Sequence, residues 1–496
     1  MHKFPMSVFS SGSVYLSMHG FLLVLWLGSV VVFGALAASG NPMLIAAGVG
    51  ALALAFLFRN PKISIPIIVL LSLPTGALIS LIGPAAAKLP WLVSALTFSL
   101  WPLAMCRMLQ QKKVPAYIPL AFVFVGYSLI FAIAQGNSLA EVVAGSKRYF
   151  QGYGVMFALA LFSVKKNDIA LLGKLLLLIA LLQLPFAIYE FVVLVPMRGG
   201  LEAGGEATDV VAGTFGANLV GGSANAEMAA FLLIVFSFLL SRWRMKLLTT
   251  ARFTSLAVLC LAPLVLGETK VVVFLFPVIL LILLRKDLLK KPGRSIPLFI
   301  AGAVLCVAFG YVYVALMDTK VAGDSFATTL QYNIGNDGYG NNILNRTTVL
   351  SFWWERHSLE TPVHLFFGHG IGSAYFGMNN LIPGHVALQY PRYGIDLTSA
   401  STLLWDTGAV GFFLHLSLYF FAWSAASRLW AKVTEPAARA DLLAIQAALA
   451  IFLIFTFYRD SAVNLMAFEI VIALVLGYLA WLVHSHPQAN QSTLGE

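Results

Sequence analysis

Between Asp318 and Ser399 lies the densest run of side chains able to hold an anion or move a proton. It contains Arg346, the run Trp353-Trp354-Glu355-Arg356-His357, the turn Gly368-His369-Gly370-Ile371-Gly372-Ser373, and then His385, Arg392 and Asp396. A guanidinium is a planar, always-charged fork that grips phosphate through two parallel N–H bonds, a geometry an ammonium cannot copy. Arg346 therefore reads as a phosphate or pyrophosphate ligand. The competing reading is an interfacial anchor, because Trp and Arg both favour the lipid headgroup zone. Glycines flanking His369 free backbone N–H groups to form a concave anion site, which adds Gly368, His369, Gly370 and Gly372 to the candidate phosphate ligands; a plain turn would use the same residues. The loop lacks the Lys-Ser/Thr ending of a nucleotide-binding loop.

Further cations are Arg392, Arg198 in the Gly-rich stretch 197–221, and Lys270, which follows Gly267-Glu268-Thr269 at a turn between two apolar segments. For Lys270, snorkelling or a surface pair with Glu268 competes with a substrate role. Proton transfer could fall to His385, Asp396, Glu355 or Asp406, and spacing alone does not choose among them. Arg346, His385 and Asp396 form the expected catalytic set. His364, His369 and His385 lack the spacing of a zinc site, and there is no His-Glu-x-x-His and no cysteine pair, so neither metal nor cofactor is expected.

The elements that must position these groups are membrane helices. Of 496 residues, 59% are hydrophobic and 10% charged, with a mean hydropathy of +0.87, far from the composition of a soluble domain. A span takes about 20 apolar residues. On that template the chain is an all-α polytopic membrane protein of about 12 to 14 transmembrane helices with one long outer loop. The expected organisation is 1–316 (helices with short loops), 317–400 (the large loop) and 401–496 (C-terminal helices), forming a single membrane domain. The stretch Met1 to Gly20 does not resemble a cleaved leader, so the first apolar stretch, Phe21 to Ala38, is expected to be retained. Cys106, Cys260 and Cys306 lie in apolar stretches and imply packing rather than disulfides.

The net charge of +10 is topological and does not point to nucleic acid. Basic clusters at Arg59/Lys62, Arg107/Lys112/Lys113, Lys165/Lys166, Arg242/Arg244/Lys246/Arg252, Arg285 to Arg294 and Arg428/Lys432/Arg439 all fall on one side if both termini are cytoplasmic. The opposite face then receives 135–151, 197–221 and 318–399. Within the last, Asn345 to Leu359 has helical spacing. Glu190 and Glu469 lie near or within spans, where a carboxylate is either functional or paired, for instance with Arg459.

In order, Gly213-Thr214-Phe215-Gly216 with Asn225, Gly267-Glu268-Thr269-Lys270, Asn345-Arg346 with Trp353/Trp354, Phe367 to Ser373, and Leu404-Trp405-Asp406-Thr407-Gly408-Ala409-Val410-Gly411 resemble the O-antigen polymerase and ligase family of bacterial inner membranes. The resemblance covers roughly residues 210 to 424. It implies a GT-C-like architecture, and a metal-independent enzyme moving glycans from undecaprenyl pyrophosphate to a sugar hydroxyl at the periplasmic face. It also implies, as partners, the lipid-linked oligosaccharide, membrane lipids, a flippase and a chain-length regulator. Carried over, Arg346 matches the arginine before the Trp-bearing helix, whereas Lys270 stands where a Ser-Arg pair is common. Ligases of the family place a histidine where this chain reads Leu397-Thr398-Ser399-Ala400, which favours a polymerase of exopolysaccharide, capsule or O-antigen repeats over a ligase. The rival from another class is a lipid-linked oligosaccharide transporter, but transporters place binding charges at the bilayer midplane in paired broken helices. Here the charges gather in one loop.

Overall fold

The computed structural model describes residues 61–83, 89–110, 114–200, 205–267, 269–290, 342–357, 362–376 and 383–486, with single positions between 293 and 339. The chain divides into two compact units, Met1–Ser64 and Ile65–Glu496, and the described residues belong almost entirely to the second. The apolar stretch Phe21 to Ala38, Glu268, Cys306 and the start of the long loop at Asp318 lie outside them.

Every regular element among the described residues is helical. The membrane-length helices are α3 (Leu89–Ser99) running on into α4 (Trp101–Gln110), α5 (Tyr117–Ala134), α8 (Lys166–Tyr189, continuing to Met197), α9 (Asn225–Arg244), α15 (Ser399–Lys432), α16 (Pro436–Tyr458) and α18 (Met466–Ser485). These give seven helices long and apolar enough to cross a membrane, or eight if α1 (Pro61–Ser72) and α2 (Thr75–Ile82), bent by 63°, form one span. Two shorter apolar helices, α10 (Thr250–Leu266) and α11 (Val271–Lys290), follow α9. The protein is thus a polytopic all-α membrane protein, with fewer full-length spans among its described residues than the 12 to 14 expected. Part of the difference is physical. The stretch after residue 151 yields only α7 (Tyr153–Leu161), whose nine residues rise about 13 Å, less than half of a bilayer core of about 30 Å. Before it, 135–151 is not irregular but holds α6 (Leu139–Phe150), started by a capping box in which Ser138 and Glu141 satisfy each other's backbone N–H groups.

The bundle has two polar ends. At one, Glu227 in the first turn of α9 meets Arg459, just past α16, at 3.1 Å. At the other, Arg242 grips Asp441 through Nε (2.8 Å) and Nη2 (2.9 Å), and Glu435 takes Lys166 at 3.6 Å and His486 at 3.2 Å. The helices α9 and α16 therefore run antiparallel, and Lys166, Arg242 and Arg439, members of three of the expected basic clusters, lie at the second end.

The described part of the long loop is folded. It forms α12 (Thr348–Arg356), α13 (Pro362–Phe367) and α14 (His385–Gln389). Val349, Phe352, Trp353, Leu365, Ile371 and Val386 are buried with Tyr149, Phe150 and Trp405 in one apolar cluster, so loop, α6 and α15 share a core. The helix expected from Asn345 to Leu359 is shorter, because the buried Asn345 side chain accepts from the N–H groups of Thr347 and Thr348 (both 2.9 Å). It thus acts as a cap rather than joining the helix. A short α17 (Ser461–Asn464) links α16 to α18.

Candidate functional site

Three of the cations picked from the sequence gather at the Glu227–Arg459 end. Arg198, Lys270 and Arg346, together with Arg459, all act electrostatically on the Asp209 carboxyl. Burial pushes the Asp209 pKa above its ordinary value, and these four positive charges pull against it. Arg346 and the turn that carries Lys270 are each held in place. The Arg346 Nε–H donates to the Tyr458 carbonyl at 2.8 Å. Its guanidinium carbon lies 4.3 Å from the ring centres of both Tyr339 and Tyr458, a stack that holds the plane rigidly. Lys270 ends a turn tied to α9 by Asn225, whose amide donates to the Gly267 carbonyl (2.8 Å) and accepts from the Thr269 hydroxyl (2.6 Å). Nearby, the 213–216 loop is tied to α8: Gln183 bonds Thr214 through both amide atoms, and Glu190 accepts from the N–H groups of Ala212 (2.8 Å) and Gly213 (2.7 Å). Glu190 is therefore a loop anchor, and the partner of Arg459 is Glu227, not Glu190 or Glu469; Glu469 accepts from Gln151 instead, at 2.7 Å. Replacing Asn225 by Ala leaves the Thr269 hydroxyl and Gly267 carbonyl unpartnered. The expected cost is about 1 to 3 kcal/mol, read as a lowered melting temperature; an unchanged melting temperature would show that Asn225 does not hold this turn.

The glycine turn is an anion cradle, but its anion is internal. Asp406, in α15, accepts at Oδ2 from the Gly372 N–H (2.9 Å) and the Tyr149 hydroxyl (3.0 Å), and at Oδ1 from the Ser373 hydroxyl and the Ala374 N–H (both 2.8 Å). The N–H groups of His369 and Gly370 go to the carbonyls of Trp405 (2.9 Å) and Asp406 (2.8 Å). Gly368, Gly370 and Gly372 all have φ between 72° and 91°, the left-handed region that a side chain disfavours. The expectation that Gly368, His369, Gly370 and Gly372 cradle a substrate phosphate is corrected accordingly: the donors meant for it are spent inside the protein. Because α15 kinks at Gly408 (φ 64°), the loop can approach it closely; a Cβ there would lie 2.4 Å from the Phe366 backbone.

His369 is also no phosphate-binding cation. Burial, reinforced by His364, His357 and His385, lowers its pKa to about 3. Nδ1 of His357 lies 2.8 Å from the Trp353 carbonyl and must donate to it. Hence His357 Nε2 accepts, and His369 Nε2–H, 3.0 Å away, donates. His385 is bound by Glu141, whose Oε1 accepts from its backbone N–H at 2.7 Å and from Nδ1 at 2.9 Å; the imidazole is 45% exposed and oriented by this carboxylate. Among the described residues, no three His, Cys, Asp or Glu side chains are placed to hold a metal ion.

Asp396 lies in a different setting. It lines a cavity of about 10 Å³, with Arg148, Tyr375, Asp460 and Asn464, which is room for one water. Burial, with Asp460 adding to it, raises the Asp396 pKa to about 6. The Arg148 guanidinium carbon sits 3.3 Å from the Tyr375 ring centre, and its Nη1 is buried without a hydrogen-bond partner. Asp460 acts electrostatically on both Asp396 and Arg459, so the carboxylate cavity adjoins the cationic cluster.

Comparison with known protein families, curated proteins and solved structures gives no match. The site rests on its own geometry. Arg392, expected with the phosphate ligands, is exposed at φ 68° and is not among the cations around Asp209; its carbonyl accepts from the Ile343 N–H at 2.7 Å. Sequence reasoning gave Arg459 only a pairing role and Arg148 none. For Arg459 the available signal was a charge pair, Arg459-Asp460, closing an apolar stretch between two others.

Proposed function

We propose that this protein is a metal-independent glycosyltransferase that polymerises undecaprenyl-pyrophosphate-linked oligosaccharide repeats at the periplasmic face of a bacterial inner membrane. One observation carries the reading: Arg198, Lys270, Arg346 and Arg459, drawn from four separate parts of the chain, lie at one end of the bundle and all act on Asp209. There Arg346 bonds the Tyr458 carbonyl beside Arg459, Arg459 bonds the Ser223 carbonyl, Arg198 lies against Gly221 and the Lys270 turn is tied to Asn225. This end is opposite the one that carries Lys166, Arg242 and Arg439, the arrangement expected if those three face the cytoplasm. A concentration of positive charge beside a bilayer attracts an anion, and a diphosphate on a lipid carrier arrives at that depth. Asp209 holds the cluster in place between turnovers.

In the reaction, the acceptor hydroxyl oxygen bonds to the anomeric carbon of the donor sugar while the bond from that carbon to the pyrophosphate oxygen breaks. The electron pair leaves with the carrier pyrophosphate, where the guanidinium groups stabilise the growing charge. The hydroxyl proton passes to Asp396 through the one water its cavity has room for, a relay that enters beside the cations at Asp460. His385, held by Glu141, keeps its exposed edge toward incoming sugar.

The direct test supplies purified protein with a lipid-linked repeat in the presence of a chelator. Elongated lipid-linked chains support the reading; full-length chains moved intact to another acceptor, or no transfer, sink it. The base assignment is tested separately. A carboxylate of pKa about 6 must be ionised to accept the proton, so the rate should rise with pH through about 6 and level off above it. Asp396→Asn should lose about 10² to 10⁴-fold in rate together with that acidic limb. An Asn variant that kept the limb would move the base elsewhere, His385 first.

A further inference from the structure

At the opposite end of the bundle, α8, α9, α16 and α18 wall a second cavity of about 830 Å³, large enough for an acyl chain. Its deep wall is apolar, with Leu177, Phe231, Val235 and Leu474 among the lining residues, and its mouth carries Lys166, Arg242, Glu435 and His486. Those mouth charges are internally matched: Arg242 binds Asp441, and Glu435 takes both Lys166 and His486. Lys174 is different. It lines the same cavity, eight residues along α8 from Lys166 and therefore about 12 Å further into the span. Among the described residues no acidic side chain pairs with it. A lysine at this depth needs an anion or must snorkel back to the surface.

We infer that this cavity is a binding site for an anionic phospholipid, its phosphate on Lys174 and an acyl chain against Leu177, Phe231 and Leu474. The charge fits: a lipid phosphate at Lys174 supplies the anion that a lysine within a span needs, and even the surface value of such a contact is about 1 kcal/mol. The geometry fits too: the cation sits between a polar mouth and an apolar wall, as the phosphate of a lipid sits between headgroup and chain. The inference does not depend on the transferase reading, and its test measures binding alone.

Full-length protein in detergent is titrated with phosphatidylglycerol or phosphatidylcholine of identical acyl chains and examined by native mass spectrometry. Phosphatidylglycerol should be retained at about fivefold lower concentration. Lys174→Gln should abolish that preference while leaving binding of phosphatidylcholine unchanged. Gly173→Phe, placed where an added Cβ has nothing within 4 Å and so compatible with folding, should fill the cavity and reduce retention of both lipids. Equal retention of the two lipids by the unmodified protein, a preference that survives Lys174→Gln, or full retention by Gly173→Phe would each overturn the proposal. So would dissociation of a dimer by Gly173→Phe, which would make the occupant a second copy of the chain.

Discussion

Arg346→Ala should lower glycan transfer at least a hundredfold while the protein still inserts into the membrane. Loss of one preorganised donor to a developing anion typically costs about 2.7 to 4 kcal/mol of transition-state stabilisation, a factor of about 10² to 10³. Arg346 is as well fixed as such a donor can be, with Tyr339 and Tyr458 on its faces and the Tyr458 carbonyl on Nε. Its structural share includes the Tyr458 bond and the stacking, each contributing about 1 kcal/mol. Arg346→Lys separates the two roles. The charge survives but the fork and the flat stack do not, so the rate should fall by an intermediate factor. The measurement is turnover of a lipid-linked repeat by purified variants, alongside chain length of the surface polysaccharide in cells. Normal chain lengths with Arg346→Ala would remove the cationic cluster from the mechanism.

The cations were legible because arginine and lysine are conspicuous in apolar sequence. Arg198, Lys270 and Arg346 could each be picked as an exception on a face where positive charge is sparse. What sequence did not supply was their grouping, which depends on how four distant turns close over Asp209. Arg459 illustrates the limit: the sequence offers it as a partner for Glu190 or Glu469, and only the antiparallel approach of α9 reveals that Glu227 neutralises it. The glycine turn was misread for a related reason. Three left-handed glycines do announce a cradle of N–H groups, but its anion stands 34 residues downstream of Gly372, at Asp406. No local pattern distinguishes an internal carboxylate from a bound phosphate. The membrane class was plain from composition, whereas hydropathy windows do not separate a nine-residue half-helix such as α7 from a crossing one.

Asp406 gives the other large effect, and on stability rather than chemistry. Both carboxylate oxygens are occupied by two donors each, so the group proposed from sequence as a possible base serves as the post around which 368–374 is wound. Asp406→Ala should leave the Gly372 and Ala374 N–H groups, the Ser373 hydroxyl and the Tyr149 hydroxyl facing a void. Unsatisfied buried donors cost about 1 to 3 kcal/mol each, partly offset because burying the carboxylate was itself expensive. A net loss of several kcal/mol follows. Since the turn shares its core with α6, α12 and α15, the damage should spread to the whole loop. Asp406→Asn keeps the shape and two of the acceptor bonds, yet turns an N–H toward the Gly372 N–H, and so should fall between wild type and Ala. Thermal unfolding and protease sensitivity of the 342–398 segment order the three proteins. If Asp406→Ala melted with the wild type while transfer was lost, the carboxylate would belong to the reaction and the loop would need another anchor.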